Sequence, residues 1–446
     1  MIANFHQPRR LKMPFIAAAV FISITGFFLF FRRPLVQYFV APWTSQQYGG
    51  SWMNSTKPNW SQPSLGQGMP GKTECASRHV QAILDPKNGD IPIVNCPALN
   101  TTRYGVLKPT QNLGRRHFFF ALDLRQVVDL LPQLIGSVLE AVNFLGPENC
   151  ALSIVEGIST DGTYETLYRL RGHLDRMGVA YHLQTSNIDS HSGDRIGKLA
   201  KLRNLALEPM MAEAEAYDRR ATIVFLNDVA ACTEDILELA YQKQAQGADM
   251  TCAMDYHFLR WAPHNGEPSF YDSWISRGIN GDTFLPVPDR TPKGEQWSDV
   301  ANMFWNAPGS QNRYLDRKPL QVFACWNGAV AVTGEPFLRR ELDFRRSYRG
   351  ECHTGEPTLL CKDLWNLGHG KIAVVPSVSL AYNVNDGRQI KEERGFVSTW
   401  VATEHKGPPV QISWQLQPPE MVKCMPTFRK QFWRPWNEGL KTNEGL

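Results

Sequence analysis

The sequence is short of several things, and each shortage removes a class of protein. Its nine cysteines, at 75, 96, 150, 232, 252, 325, 352, 361 and 424, never stand as CxxC, which argues against a zinc ribbon. It has no basic domain: 47 Lys and Arg face 43 Asp and Glu, and Arg9, Arg10, Lys12, Arg32 and Arg33 lie within the first 33 residues. The rest is close to neutral, which argues against nucleic acid as a partner. No internal repeat is visible. What is present is apolar: 446 residues, 43% hydrophobic and 11% aromatic, enough to bury a sizeable core and to exclude a disordered chain. Length alone suits about three domains.

Residues 13–31 carry no charge, and as a helix they would span about 28 Å, close to a bilayer core. Arg32, Arg33 and Pro34 follow where a cleavage site would need small residues, so an uncleaved signal anchor is expected. The flanking charges lean weakly toward a cytoplasmic N-terminus. The three N-x-S/T acceptors, Asn54, Asn59 and Asn100, cluster just beyond it, as on a lumenal stem. In such a compartment cysteines pair, with Cys75–Cys96 and Cys352–Cys361 as local candidates and at least one left over.

Residues 66–73 fit the phosphate-loop pattern G-x4-G-K-[ST], but Ser61, Gln62, Pro63 and Ser64 precede it. That is no strand, and Pro70 removes a donor, so an ATPase is not expected. From about Gly114 apolar runs alternate with helical patterns. Strands are predicted at 117–122, 151–155, 179–184, 221–226 and 249–254, and helices at 126–143, 164–177, 197–211 and 234–246. Such alternation implies a doubly wound α/β sheet, whose ligands bind at the carboxyl ends of the strands.

Three clusters fall at those ends. Glu156 and Asp161 stand among hydroxyls and glycines that can hold a base and ribose, or simply turn the chain and cap a helix. Asn227 and Asp228 end an apolar strand, where a carboxylate needs a cap, an ion partner or a divalent metal. Arg195 and Lys198, three apart at a helix start, can converge on phosphate or form a solvated basic face.

The stretches 153–156 with 161–163, 201–206, 225–229 leading to 234–237, 271–274, 277–282, 325–328, 350–352, 361–365 and 372–377 together resemble the fungal capsule-associated α-1,3-mannosyltransferases, glycosyltransferase family 69. The resemblance covers roughly residues 115–385. It implies a GT-A-like α/β fold on a type II Golgi membrane protein, with cytoplasmic tail 1–12, anchor 13–31, stem 32–113, catalytic domain 114–385 and C-terminal extension 386–446. It implies a GDP-mannose donor, a mannose-containing glycan acceptor and Mn²⁺ or Mg²⁺. Glu156 and Asp161 would face the nucleoside, and Arg203 and Asn204 the nucleotide or diphosphate. Asp228 would hold the metal where such enzymes carry Asp-x-Asp, with Asn227 beside it. The match is imperfect, since Leu226 and Ala230 flank it at two residues; His353 and His369 are candidates for a second ligand. Glu351 or Asp363 would act on the acceptor or be structural, and Asp272, Asp282, Trp326 and Asn327 would meet sugar. A glycosidase would also need two carboxylates, and a catalytically silent carbohydrate-binding or scaffold subunit could share the fold.

Overall fold

The computed structural model describes residues 70–86, 90–110, 114–260, 265–287, 300–402 and 410–440, all within one unit, Gln62–Leu446. The expected anchor at 13–31, Asn54, Asn59 and residues 66–69 of the glycine-rich motif lie outside the described residues.

Helix α1, Pro70–Leu84, leads into β1, Arg116–Leu124, then α2, Leu131–Leu145, and β2, Cys150–Glu156. Next come α3, Thr163–Met177; β3, Ala180–Thr185; α4, Arg195–Ala212; β4, Tyr217–Leu226; α5, Thr233–Ala245; and β5, Met250–Phe258. From β1 to β5 these are the elements the sequence predicts, with ends moved by a few residues; α1 falls in a stretch expected to be stem. Gly178 closes α3 at φ 84, where any side chain would be strained. The start of α5 is capped by Cys232 and Asp235 rather than by Thr233.

Beyond β5 the simple alternation stops. Short strands β6, Pro268–Phe270, and β7, Arg277–Gly278, precede β8, Leu320–Ala324, and β9, Ala329–Thr333. Helix α6, Glu356–Asn366, β10, Ile372–Ala381, and α7, Val384–Arg394, follow. The order β3-β2-β1-β4-β9-β5-β10-β8-β7 inserts β9 antiparallel between β4 and β5. The sheet of the expected α/β domain is therefore a mixed one. Apolar side chains alternate between its faces: Phe119, Ala121 and Phe225 on one, Phe120, Leu122 and Leu226 on the other. With both faces covered, the central strands read as continuous apolar runs. Among the described residues, 128–145 is the one helical stretch long and apolar enough to cross a membrane, and it is largely buried in this core.

Two expectations change. The segment 70–107 is no loose stem: Val80, Ile83, Val94 and Tyr104 are buried in the core, and Cys96 is bonded to Cys232. Neither local cysteine pair forms. The other bonds are Cys252–Cys325 and Cys352–Cys424, while Cys75, Cys150 and Cys361 are free. Cys352–Cys424 ties the hairpin of β11, Met421–Thr427, and β12, Lys430–Pro435, to the main domain. That places part of the expected extension against the catalytic core.

Candidate active site

Strands β1, β2, β3, β4, β5 and β10 run parallel in direction, and their carboxyl ends form one edge. Two adjoining cavities open there, of about 660 and about 600 Å³, sharing Arg125, Gln126 and Asp228 as a wall. The first is also lined by Asp123, Asp189, His191 and Arg195, the second by Asp161, Tyr382, Asn383 and Asn385.

Asp123 and Asp228 end neighbouring strands, and neither accepts a hydrogen bond from another described residue's side chain. Burial pushes both carboxyls up to about 6; Arg203 opposes this, and at Asp123 the charges of Asp228 and Glu356 add to it. Acids whose charge is this poorly compensated, side by side on a cavity wall, fit a divalent cation shared with ligand oxygens. Among the described residues no group of three or more His, Cys, Asp and Glu converges as a metal cage. Magnesium and its relatives often take only one or two protein carboxylates when a diphosphate supplies the rest.

Arg203 is buried beneath this pair. Its guanidinium lies 4.1 Å from the ring centre of Trp326, donates through Nε to Glu356 at 3.0 Å and through Nη1 to Asn227 Oδ1 at 3.5 Å. The Trp326 indole N–H donates to the same Asn227 oxygen at 2.9 Å. Glu356 opens α6 and is 2% exposed. Asn327 and Gly328 both take positive φ, 56 and 82, in the turn before β9. A Cβ on Gly328 would lie 3.0 Å from Val229 and 3.4 Å from Asp255, so only glycine lets this turn pack under the Asp228 loop.

The remaining sequence candidates divide sharply. Arg195 is exposed on the larger cavity, and Asp161 lines the smaller one while accepting from the Val128 and Thr163 N–H groups. Glu156 does not face a ligand: it is fully buried and caps the Ile158 and Ser159 N–H groups at 3.0 and 2.8 Å. Lys198 is spent on the loop, donating to Asp189 O, Ser192 O and Ser192 Oγ. Asn204 is locked to the Phe344 backbone in both directions at 2.8 Å. Asp282 is paired with Lys423 and accepts from Asn306 and Thr283. Trp326 and Asn327 are buried and support the site without reaching a sugar. Asp272 is half-buried, with one oxygen accepting the Asn327 N–H at 2.8 Å.

Glu351 and Asp363 stand apart from the cavities. Arg345 grips both, at 2.7 and 2.6 Å, and Lys362 donates to Glu351 at 2.5 Å. Burial raises the Asp363 carboxyl, with Arg345 opposing; at Glu351 burial is outweighed by Arg345 and Lys362, and its carboxyl is held low. This is a closed ion cluster, not an acceptor base. Neither histidine joins the Asp123–Asp228 pair. His369 bonds Asp249 at 3.1 Å, at the opening rather than the carboxyl end of β5, and exposed His353 lies against Trp274. The site residues missed by sequence, Asp123 and Glu356, carried a signal: an acid at the end of an apolar run, and an acid at a helix start after Gly355.

Acid-lined cavities at the carboxyl edge of an α/β sheet lie where proteins of this architectural class bind their ligands. Residues 117–363 match the family model described as Cryptococcal mannosyltransferase 1. The chain is 35% identical over 380 residues to alpha-1,3-mannosyltransferase CMT1 of Cryptococcus neoformans var. neoformans serotype D, spanning 80% of this chain and 76% of the relative. It belongs to that mannosyltransferase family, and is a glycosyltransferase by that membership. Weaker likenesses exist among solved structures. The mannosyltransferase PcManGT of Pyrobaculum calidifontis in complex with GDP-Man and Mn2+ is 10% identical, covering 76% of this chain and 78% of its own, TM-score 0.32. GalNAc-T7 with UDP, GalNAc and Mn2+ is 12% identical, covering 60% and 44%, TM-score 0.35. Likenesses at that level carry no argument about this chain.

Proposed function

We propose that the protein transfers mannose from GDP-mannose to a mannose-containing glycan, forming an α-1,3 linkage on a GT-A-like scaffold. The observation that carries the reading is the Asp123–Asp228 pair: two adjacent acids, raised to about 6, on a cavity that Arg125 and Arg195 also line. Diphosphate chemistry calls for such a pair of cation ligands beside basic groups. A Mn²⁺ or Mg²⁺ held there would neutralise the departing diphosphate. Arg125 and Arg195 bind phosphate oxygens, and buried Arg203, fixed by Glu356 and Trp326, holds Asn227 and sets the potential behind the acids. Glu356 acts through Arg203 and not on the acceptor, the role expected of Glu351 or Asp363.

The proposed setting is a single-pass type II Golgi membrane protein with this domain in the lumen. The uncharged run at 13–31 and three disulfides support it, since such bonds persist in oxidising compartments. The test is a donor screen on the purified full chain with a mannoside acceptor and linkage mapping. Transfer from GDP-mannose that stops in excess chelator and returns with Mn²⁺ is expected. Transfer only from another sugar nucleotide, or full activity in chelator, would overturn the donor or the metal respectively.

A further inference from the structure

The two cavities differ in chemistry on either side of Asp228. The larger has Arg125, Arg195 and His191 on its wall, a lining suited to phosphates. The smaller carries Arg125 as its one cationic wall residue and adds Asp129, Asp161 and the neutral side chains of Tyr382, Asn383 and Asn385, of which Tyr382 and Asn383 are already hydrogen-bonded to Asp255 and Asp386. Just outside it stands Tyr271, a large aromatic side chain left 50% exposed.

An exposed tyrosine alone is ordinary. This one is held in place by polar groups buried beneath it. The rings of Tyr271 and Tyr382 lie 4.5 Å apart at 44°, and His257 meets Tyr271 edge-on at 5.6 Å. The Tyr382 hydroxyl donates to Asp255 Oδ2 at 2.6 Å, and the Asp272 N–H donates to Asp255 Oδ1 at 3.3 Å. Fully buried Asp255 therefore fixes both the second ring and the residue that follows the first. Asp272 is itself oriented by the Asn327 N–H on one oxygen, and its other oxygen takes no hydrogen bond from the described residues. The Ala381 carbonyl accepts from the Ala230 N–H at 2.8 Å, which anchors Tyr382 beside the Asp228 loop.

A flat apolar face next to a carboxylate oxygen with capacity to spare is the chemistry that recognises a sugar ring. The aromatic face covers C–H bonds and the carboxylate accepts from hydroxyls. We propose that Tyr271 and Tyr382 are the stacking platform of the acceptor-saccharide subsite, with Asp272 receiving hydroxyls of the same sugar. This rests on the transfer reading above. It makes Tyr271 a specificity-determining residue on the side of Asp228 away from the basic cavity.

The test is calorimetric titration of α-mannobiose into the full chain with GDP and Mn²⁺ present, alongside separate titration of GDP. Tyr271→Ala should weaken disaccharide binding about tenfold or more, and Tyr271→Phe, which keeps the ring, by no more than about threefold. GDP affinity should stay within about twofold of wild type in both, since the phosphate-binding wall lies elsewhere. Equal disaccharide affinity in Tyr271→Ala, a parallel loss of GDP affinity, or no α-mannobiose binding by wild type would each overturn the platform. Binding that is lost in Tyr271→Ala, in a wild type that transfers no mannose, would uphold the platform and sink the transfer reading.

Discussion

Asp228 is held where an acid costs stability. Its carboxyl is raised by burial from 3.8 to about 6, so the folded protein binds a proton more readily than the unfolded chain. The sign follows: the contribution to stability is full below the unfolded value and is lost as pH climbs through about 6. Asp228→Asn removes the titration and keeps the shape. Without metal or donor, thermal unfolding of this variant and of wild type should nearly coincide only below the unfolded value, at about pH 3.5. At about pH 7.5 the variant should be more stable, by about 3 kcal/mol, while transfer falls at least about a hundredfold. A variant less stable than wild type at the higher pH would remove the acid from a cation site and make it a structural partner. Asp228 was legible in the sequence because an acid closing an apolar strand needs a reason. The same reasoning extends to Asp123, but Leu122 reads as the end of that strand, and the structure carries it to Leu124. Glu156, Lys198 and Asn204 were misread for one reason. Their residue types suit a ligand, and only coordinates show that local backbone groups already use them.

At the scale of elements, the two acid groups around α6 separate catalysis from folding. Glu356 at its first turn pairs with Arg203, buried behind the cavity wall, whereas Glu351 and Asp363 close around Arg345 and Lys362 on another side. Glu351→Gln leaves Arg345 and Lys362 with less compensation in a buried setting, a loss of about 2–4 kcal/mol. It should lower the unfolding temperature and yield yet keep transfer per folded molecule within about twofold. Glu356→Gln should do the reverse, reducing transfer at least about tenfold, because it loosens Arg203 and alters the field at Asp123. Transfer assays normalised to folded protein, paired with thermal unfolding, measure both. A large catalytic loss in Glu351→Gln with unchanged stability would return that residue to the site. The half of the sheet from β1 to β5 was readable because long strands alternate with capped, periodic helices. The antiparallel half was not. Strands β6 and β7 span only Pro268–Phe270 and Arg277–Gly278, and nothing local in Ala329–Thr333 gives its direction between β4 and β5.

At the scale of the whole molecule, the disulfides connect segments that proximity in sequence would never join. The three pairs are separated by 136, 73 and 72 residues, so the spacing that suggested Cys75–Cys96 and Cys352–Cys361 carried no information. Burial decided instead: Cys361 lies in the core with its thiol 3.4 Å from the Cys325 carbonyl, while the Cys325 sulfur is bonded to Cys252, and Cys96 reaches the residue that caps α5. The Cys96–Cys232 bond closes a long loop and ties the segment before β1 to the helix that follows the Asp228 loop, which should stabilise the fold by about 2–5 kcal/mol. Its setting can be tested together with topology. Asn100 is exposed, and its side-chain oxygen accepts the Arg103 N–H at 3.1 Å, which leaves the amide nitrogen available for glycan. A lumenal domain predicts that the protein isolated from its own membranes shifts on endoglycosidase treatment. It also predicts that, unfolded without reductant, the protein offers three thiols for alkylation, those of Cys75, Cys150 and Cys361, and that reductant exposes the other six. Alkylation of all nine before reduction, with no glycan shift, would place residues 70–440 in a reducing compartment and remove the lumenal reading. Asn100→Gln then isolates one acceptor: the mobility shift should shrink by a single glycan while folding persists, because glutamine's longer side chain costs only a surface cap of about 1 kcal/mol.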